Sequence, residues 1–368
     1  MKIILAPDKF KGSLSAKEIC QIIYETIKEK RPDIDVLIHP LADGGDGSLE
    51  LIREYKTLSS ATVATVDPLG RKISASYLHN DDEAFIELAS ASGHVLLKKE
   101  ELNPMHCSSF GTGLMIKHAI VKGIKKIYLF IGGSATNDAG TGILEALGYQ
   151  LLDNSGNIIQ AKGENLLLID NIETPKEAVG ASVSFILLCD VDNPLYGQEG
   201  AAYCYARQKG ADTSGINTLD KGLRNFAKVV YKLKGINLQE LPGGGAAGGV
   251  PAGLYAFLNA ELMPGASTLI SLSNFEEALE NADVIITGEG RLDFQSKRGK
   301  LVSVLTDLAH KHDKKIFYFV GTYDNEALNH YGKRNIFALS DIASNLDDAI
   351  ENAKTLLVQM VNRFLEYI

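Results

Sequence analysis

The chain has 368 residues, with 45% hydrophobic residues, 37 Lys and Arg, and 46 Asp and Glu. A chain of this size can bury one large core or two ordinary ones, and its near-average composition excludes long disordered, collagen-like and fibrous proteins. The formal net charge of −9 disfavours a general nucleic-acid binder, because such proteins usually carry a basic surplus.

The first 55 residues predict alternating strands and helices. Ser15 and Glu18 have the spacing of a capping box, which opens a helix that runs to about Lys30. The other elements predicted here are strands over Lys2–Ala6 and Ile34–His39 and a helix over Asp46–Tyr55.

The middle of the chain has a more mixed pattern. Turn residues between apolar runs predict two antiparallel hairpins, Ile73–Leu78 with Ala84–Leu88 and Tyr149–Leu152 with Asn157–Gln160. Two further apolar runs predict buried strands over Lys126–Ile131 and Val183–Cys189.

The last hundred residues return to simple alternation. The predicted strands are Val284–Thr287, Lys315–Val320 and Ile336–Leu339, and the predicted helices are Lys300–Lys311 and Leu346–Tyr367. Such alternation is typical of a parallel sheet with helices on both faces. The pattern therefore predicts an α/β protein of two domains. A discontinuous, doubly wound domain is formed by residues 1–70 plus 276–368, and a mixed α/β domain of residues 71–275 is inserted into it.

Cysteines and apolar runs bear on the cellular compartment. The four cysteines, which are Cys20, Cys107, Cys189 and Cys204, form no CxxC pair and are typical of buried thiols in a reducing compartment. No stretch approaches the roughly 20 apolar residues of a membrane span, and the first ten residues lack a signal-peptide pattern. We expect a soluble cytoplasmic protein with no membrane or nucleic-acid partner.

Three glycine clusters directly follow predicted strands. They begin at Asp43-Gly44-Gly45, at Gly132-Gly133-Ser134 and at Gly288-Glu289-Gly290. Open α/β sheets bind ligands at the carboxyl ends of their strands, and glycine lets backbone N–H groups approach a phosphate. Each cluster also contains carboxylates or hydroxyls, which together favour a ligand site over ordinary turns.

Several common motifs do not fit this chain. Gly243–Gly248 matches GxGxxG, but Leu241-Pro242 precedes it where a dinucleotide-binding motif requires a strand. There is no GxxxxGK[ST] sequence, no GxSxG, no HExxH and no zinc-type ligand set. The sequence therefore disfavours a dinucleotide-binding domain, a P-loop enzyme, and the common serine-hydrolase and zincin classes.

Two charged segments have open interpretations. Asp8, Lys9, Lys11 and Ser13 lie between the first strand and its helix, where the lysines are either solvated or a clamp for a carboxylate or phosphate. Asp190 and Asp192 follow a buried strand at i and i+2. They either bind Mg²⁺ or form an Asx turn that ends at Pro194.

Eight segments together resemble the bacterial glycerate kinase family, which makes phosphoglycerate from D-glycerate and ATP. They are residues 6–15, 41–48, 87–93, 109–113, 132–138, 189–195, 242–249 and 287–296. The resemblance implies a discontinuous two-domain protein with one flavodoxin-like part and one part like a restriction-endonuclease core. It also favours phosphorylation of the 2-hydroxyl.

On this hypothesis the reaction takes place in a cleft between the domains. Lys11 and Arg291 would neutralise the substrate carboxylate or transition-state charge, Asp43 or Asp293 would accept the hydroxyl proton, and Asp190 with Asp192 would bind Mg²⁺. The catalytic candidates are Lys11, Asp43, Asp190, Arg291 and Asp293. The candidate substrate- and ATP-binding residues are Asp8, Lys9, Ser13, Gly44, Gly45, Gly132, Gly133, Ser134, Thr136, Asn137, Asp138, Gly288, Glu289, Gly290, Gln295 and Ser296.

Three alternatives stay open at this point. They are a kinase of another small hydroxy acid, an NAD-dependent hydroxy-acid dehydrogenase, and a sugar-acid sensor without catalysis. The sequence does not separate a monomer from a homodimer.

Overall fold

The computed structural model describes residues 1–44, 48–176, 182–293 and 300–368. The chain divides into two compact units: unit 1 is Met1–Lys56 with Pro264–Ile368, and unit 2 is Thr57–Met263. The predicted division into domains at residues 70 and 275 stays a prediction.

The elements follow in chain order. The strands are β1 (Lys2–Leu5), β2 (Asp35–Ile38), β3 (Ser59–Val66), β4 (Lys72–His79), β5 (Glu83–Glu87), β6 (Lys126–Phe130), β7 (Gln150–Leu152), β8 (Asn171–Glu173), β9 (Ser184–Leu188), β10 (Glu261–Met263), β11 (Val284–Thr287), β12 (Arg291–Leu292), β13 (Lys315–Val320), β14 (Thr322–Tyr323) and β15 (Ile336–Ala338). The α-helices are α1 (Ala16–Lys30), α2 (Ser48–Tyr55), α3 (Ala89–Ser92), α4 (Phe110–Val121), α5 (Thr141–Ala146), α6 (Ala201–Tyr205), α7 (Thr213–Lys234), α8 (Val250–Leu258), α9 (Gly265–Leu272), α10 (Phe275–Glu280), α11 (Leu301–Lys311), α12 (Asn325–Tyr331), α13 (Leu346–Glu351) and α14 (Ala353–Tyr367).

Unit 1 is built on a parallel sheet with strand order β15-β13-β11-β1-β2. Counted along the chain within this unit, the order across the sheet is 2-1-3-4-5, which is the flavodoxin-like arrangement. The apolar residues of β1 are fully buried, and the capping box at Ser15 opens α1 as predicted. The predicted α/β fold with a parallel sheet is confirmed.

The order of the strands creates a crevice in unit 1. The chain leaves β1 toward β2 on one side and leaves β11 toward β13 on the other, although β1 and β11 are neighbours. The loops after these two strands therefore diverge, and ligands bind at such a topological switch point in open α/β sheets.

Unit 2 has a mixed sheet with strand order β10-β9-β6-β5-β4-β3. β5, β6, β9 and β10 are parallel, whereas β3, β4 and β5 pair as antiparallel neighbours. The carboxyl ends of the parallel strands lie at one edge, so the loop after β6 and the loop after β9 leave the sheet on the same side.

The predicted hairpin of Tyr149–Leu152 with Asn157–Gln160 is confirmed in part. The chain turns back after β7, with hydrogen bonds from Asp153 N to Asn157 O and from Ile159 N to Leu151 O, but its second arm forms no regular strand. β7 also pairs with β8, which was not predicted and which places Leu151 opposite the buried Ile172. Pairing with β8 therefore covers apolar surface that the hairpin alone would leave in water.

The predicted C-terminal helix is also different, because it is divided into α13 and α14. Asn352 separates them with φ −101° and ψ 17°, and its side-chain amide donates to Asp348 Oδ1 at 2.7 Å. An Asn side chain that bonds to the preceding turn competes with regular helix at this position. In the predicted helix Asp46–Tyr55, Ser48–Tyr55 is helical and Asp46 lies outside the described residues.

The cysteines only partly match the expected burial. All four are free, Cys20 and Cys107 are buried, Cys189 is partly buried, and Cys204 is exposed, so the expectation is wrong for Cys204. Within the described part of the chain, no helix combines the length and apolar character needed to cross a membrane.

Candidate functional site

A cavity of about 600 Å³ opens at the crevice of unit 1. The loops after β1, β2, β11 and β13 contribute to it, together with residues of α13. The sequence-predicted residues that line it are Asp8, Lys9, Lys11, Ser13, Asp43, Glu289, Gly290, Arg291 and Asp293. Lys300, Gly321 and Thr322 also line the cavity and were not predicted. Gly45, Gln295 and Ser296 lie outside the described residues.

Backbone hydrogen bonds hold these loops together. Asp8 N donates to Gly288 O at 2.8 Å, and Thr322 N donates to Gly290 O at 3.1 Å. Gly288 is in such close contact that a Cβ there would lie 1.5 Å from Phe319 O. The cavity therefore has a floor of tightly packed backbone, and glycine is required at position 288.

Asp8 lies in an unusual electrostatic environment. Its Oδ1 accepts a hydrogen bond from Lys9 N at 2.7 Å. Burial and the neighbouring carboxylate of Asp43 raise the pKa of Asp8 to about 7, although the Lys9 hydrogen bond and charge lower it. A carboxylate that titrates near neutral pH is suited to accept a proton during catalysis. Sequence reasoning placed Asp8 among binding residues and had no means to see this burial.

The cationic side chains of the cavity face solvent. Lys11 is exposed, and Arg291 is 69% exposed, with its Nε 3.8 Å from Asp293 Oδ2. Ser13 Oγ donates to Ile350 O at 3.0 Å, so the proton of this hydroxyl is already used within unit 1. Lys11 and Arg291 are thus available to an anionic ligand. The Ser13 hydroxyl has already donated its proton, so it can only accept a hydrogen bond from a ligand's N–H or O–H group.

A second cavity, of about 510 Å³, adjoins the first through Asp8 and Lys9, which line both. Its other wall includes Lys17 and Arg53 from α1 and α2. Lys17 Nζ lies 2.9 Å from Glu54 Oε1. No sequence motif marked this cavity.

The predicted phosphate loop of unit 2 is largely buried. Gly132 is exposed and Gly133 partly so, Ser134 is 7% exposed, and Thr136, Asn137 and Asp138 are completely buried. The part of this loop that solvent reaches is therefore its glycine backbone.

Asp138 is fully used by hydrogen bonds within unit 2. Its carboxylate accepts from the backbone N–H and hydroxyl of Ser109, both at 2.7 Å, and from Gly140 N and Gly142 N at 3.1 and 3.3 Å. Burial raises the pKa of Asp138, and these four donors oppose that effect. This arrangement holds the loop in place rather than offering a group to a ligand.

Two neighbouring side chains have no such support. Among the described residues, none hydrogen-bonds to the Thr136 hydroxyl or to either polar atom of the Asn137 amide, although these atoms are buried. Buried polar groups in proteins nearly always have partners. Thr136 and Asn137 therefore retain the hydrogen-bonding capacity predicted for them.

Sequence reasoning missed Lys209, whose Nζ donates to Ser134 Oγ and to Thr136 O, each at 2.7 Å. Burial lowers the pKa of Lys209 to about 8, against an opposing effect of Asp138. No local motif surrounds this lysine, because its partners are more than 70 residues away in sequence.

Asp190 and Asp192 follow β9 in unit 2, and both are exposed. Over the described ranges, no group of three or more His, Cys, Asp or Glu side chains is arranged to hold a metal ion. Mg²⁺ commonly takes only one or two protein carboxylates and completes its shell with water and substrate phosphates. The pair fits that limited role.

The glycine-rich segment Gly243–Gly248 follows a 3₁₀ turn, Leu238–Glu240, and not a strand. The segment therefore lacks the preceding strand that a dinucleotide-binding motif requires. Gly248 instead packs against the predicted phosphate loop of unit 2, because a Cβ there would lie 2.2 Å from Thr136 O.

Comparisons with known proteins agree with one another. The model of the Glycerate kinase family matches residues 3–368. The chain is 37% identical to a glycerate kinase of Halalkalibacterium halodurans over 362 residues, covering 97% of this chain and 95% of that protein. It is 37% identical to a glycerate 2-kinase of Escherichia coli over 358 residues, covering 96% and 94%. A crystal structure of a Salmonella typhimurium LT2 protein described as a putative glycerate kinase 2 has a TM-score of 0.82 at 34% identity, covering 100% and 98%.

Proposed function

The chain belongs to the glycerate kinase family, and on that basis we propose that it transfers the γ-phosphoryl group of ATP to D-glycerate. It is a phosphotransferase by family membership. The Escherichia coli relative is described as a glycerate 2-kinase, which favours the 2-hydroxyl as the acceptor.

The observation that carries the proposal is the mixed charge of the unit 1 cavity. A hydroxy acid needs a cation for its carboxylate and a base for its hydroxyl. Lys11 and Arg291 supply the first, and the carboxylates of Asp8, Asp43 and Asp293 are candidates for the second. A cavity of about 600 Å³ is ample for a three-carbon acid.

In this mechanism the cations hold the carboxylate and orient the glycerate hydroxyl toward the γ-phosphorus. A carboxylate of the cavity takes the hydroxyl proton, the hydroxyl oxygen forms a bond to phosphorus, and the bond to the β-phosphate oxygen breaks to release ADP. The sequence favoured Asp43 or Asp293 as the base. The pKa of about 7 adds Asp8 to them, because a base that titrates near the working pH transfers protons efficiently.

We assign the ATP phosphates to two glycine loops, Gly132–Asp138 and Gly288–Arg291. Gly132 and Gly133 support the first assignment because their backbone is accessible. Asp190 and Asp192 would hold Mg²⁺, which when bound neutralises phosphate charge. The expectation that both loops contact one ATP in a cleft stays a prediction, and a crystal structure with a non-hydrolysable ATP analogue would test it.

The decisive experiment is NMR of the product formed from D-glycerate and MgATP. We expect 2-phosphoglycerate and an equal amount of ADP. A product phosphorylated at the 3-position would overturn the regiochemistry, and turnover only of other hydroxy acids would show a different kinase. No turnover, together with stabilisation by NADH and not by MgATP in a thermal-shift assay, would support a dehydrogenase.

A further inference from the structure

Lys209 is a buried cation that no assigned role explains. It ends the short turn Arg207–Lys209, ahead of α7, and is 5% exposed. The turn is fixed by Gly210, where a Cβ would lie 2.0 Å from Leu102 O. The side chain therefore enters the interior of unit 2 from a closely packed turn.

The lysine bonds to the phosphate loop and not to the nearest carboxylate. Its Nζ donates to Ser134 Oγ and to Thr136 O. Asp138 already accepts four hydrogen bonds from Ser109, Gly140 and Gly142. Asp138 thus does not need Lys209 as a hydrogen-bond donor, although the two charges attract each other, and the hydrogen bonds of Lys209 are with the loop.

Stability alone does not account for a cation at this place. Burial of an ammonium group is unfavourable, as the lowered pKa of Lys209 also indicates. A buried ionic group can often be replaced together with its partners by apolar side chains without loss of stability, so a buried cation is weak evidence for a purely stabilising role. What the ammonium adds is two short, charge-assisted hydrogen bonds that define the course of the chain from Ser134 to Thr136.

The rest of the loop is held from other directions. His94 N donates to Gly133 O at 3.0 Å, and Ala135 N donates to Ser92 O at 2.9 Å. The bond from Lys209 to the Thr136 carbonyl lies at the far end of this segment. It holds the carbonyl of Thr136, whose own hydroxyl, like the following Asn137 amide, has no partner among the described residues.

We propose that Lys209 is a positioning residue, which shapes the Gly132–Asp138 loop through Ser134 and the Thr136 carbonyl so that the loop can receive the ATP phosphates. The role in the reaction rests on the proposed function, because it assumes that this loop binds ATP. The role in loop geometry does not depend on it.

The test compares Lys209→Met with Lys221→Met, which removes an exposed lysine of α7. Hydrogen exchange of residues 131–142 measures loop geometry directly. We expect Lys209→Met to exchange at least about tenfold faster there, as the loss of two charge-assisted bonds implies. Its melting temperature should fall by several degrees, because the Ser134 hydroxyl and the Thr136 carbonyl lose a donor, while the protein stays folded at the temperature of the assay. Unchanged exchange in folded Lys209→Met would overturn the proposal.

Kinetics test the second part of the proposal. For Lys209→Met, kcat/KM for ATP should fall about 10- to 100-fold, while KM for D-glycerate stays unchanged. Lys221→Met should match wild type. If Lys209→Met impaired the KM for D-glycerate as much as the KM for ATP, the link to ATP would be overturned. If wild type fails to phosphorylate D-glycerate, the proposed function fails, and the exchange data still decide the positioning role.

Ser134→Ala provides an independent route if Lys209→Met does not fold. It removes one acceptor of the lysine and leaves the charge in place. We expect the same direction of change in exchange and in kcat/KM for ATP, about three- to tenfold, which corresponds to one hydrogen bond. Wild-type behaviour of Ser134→Ala in both measurements would contradict the proposal.

Discussion

Replacing Asp8 by Asn tests the electrostatics of the unit 1 cavity through protein stability. The pKa of Asp8 is about 7, against an ordinary value of 3.8. As pH rises, the unfolded chain loses this proton near pH 4 and the folded protein only near pH 7. Over that interval the folded state binds more protons, so the stability of wild type falls with rising pH.

The magnitude follows from the same two values. A tenfold change in proton affinity corresponds to about 1.4 kcal/mol, so full ionisation costs about 4 kcal/mol at most. Between pH 5 and pH 8, and with allowance for partial exposure of the side chain, the free energy of unfolding of wild type should fall by about 2 kcal/mol through this group. Asn removes the titration and can still accept the hydrogen bond from Lys9 N.

The assay is urea unfolding followed by circular dichroism at pH 5 and pH 8. On going from pH 5 to pH 8, the free energy of unfolding of Asp8→Asn should rise by about 2 kcal/mol relative to that of wild type. Asp35→Asn, an exposed position in the same sheet, is the matched control and should follow wild type at both values. If the free energies of unfolding of Asp8→Asn and wild type differed by the same amount at pH 5 and at pH 8, the reasoning would be refuted.

Three further predictions concern the two units. Arg291→Ala should lower kcat/KM for D-glycerate about 100-fold in steady-state kinetics, because it removes a group proposed to stabilise charge. Lys17→Ala on α1 is the control and should have little effect on kcat/KM. Gly288→Ala should destabilise unit 1 by more than about 4 kcal/mol, because its Cβ would overlap the Phe319 carbonyl oxygen, and normal expression and melting temperature would contradict this. Asp190→Asn should raise the Mg²⁺ concentration needed for half-maximal activity about tenfold, and an unchanged Mg²⁺ titration would remove Asp190 from the metal site.

The parallel sheet of unit 1 was predictable because its determinants are local. Short apolar runs such as Lys2–Ala6 end at turn residues, and the helix after this run has its own start signal in the capping box at Ser15. The position of Asp8 and Gly288 at strand ends follows from these runs. Their proximity depends on β1 and β11 being neighbours, which the structure shows and the sequence did not predict.

Two features were missed because they depend on distant residues. β7 pairs with β8 opposite the buried Ile172, in addition to the predicted hairpin at the nearer turn. Lys209 lies in a polar stretch of sequence, and lysine is rarely buried, so nothing local indicated its contact with Ser134. The site residues after the strands could be named from sequence, but whether each is accessible could not.

The first strand of unit 1 has consequences for synthesis on the ribosome. β1 pairs with β11 through Ile3 and Val284, so one side of this strand stays without its neighbour until some 280 further residues have been translated. At about 5 to 20 residues per second, that delay is on the order of 15 to 55 s. During this time an apolar nascent strand has an open edge, which is a template for aggregation. Efficient production should therefore depend on chaperones that shield the amino-terminal segment. A circular permutant that joins the two ends and makes unit 1 continuous in sequence should depend on them less.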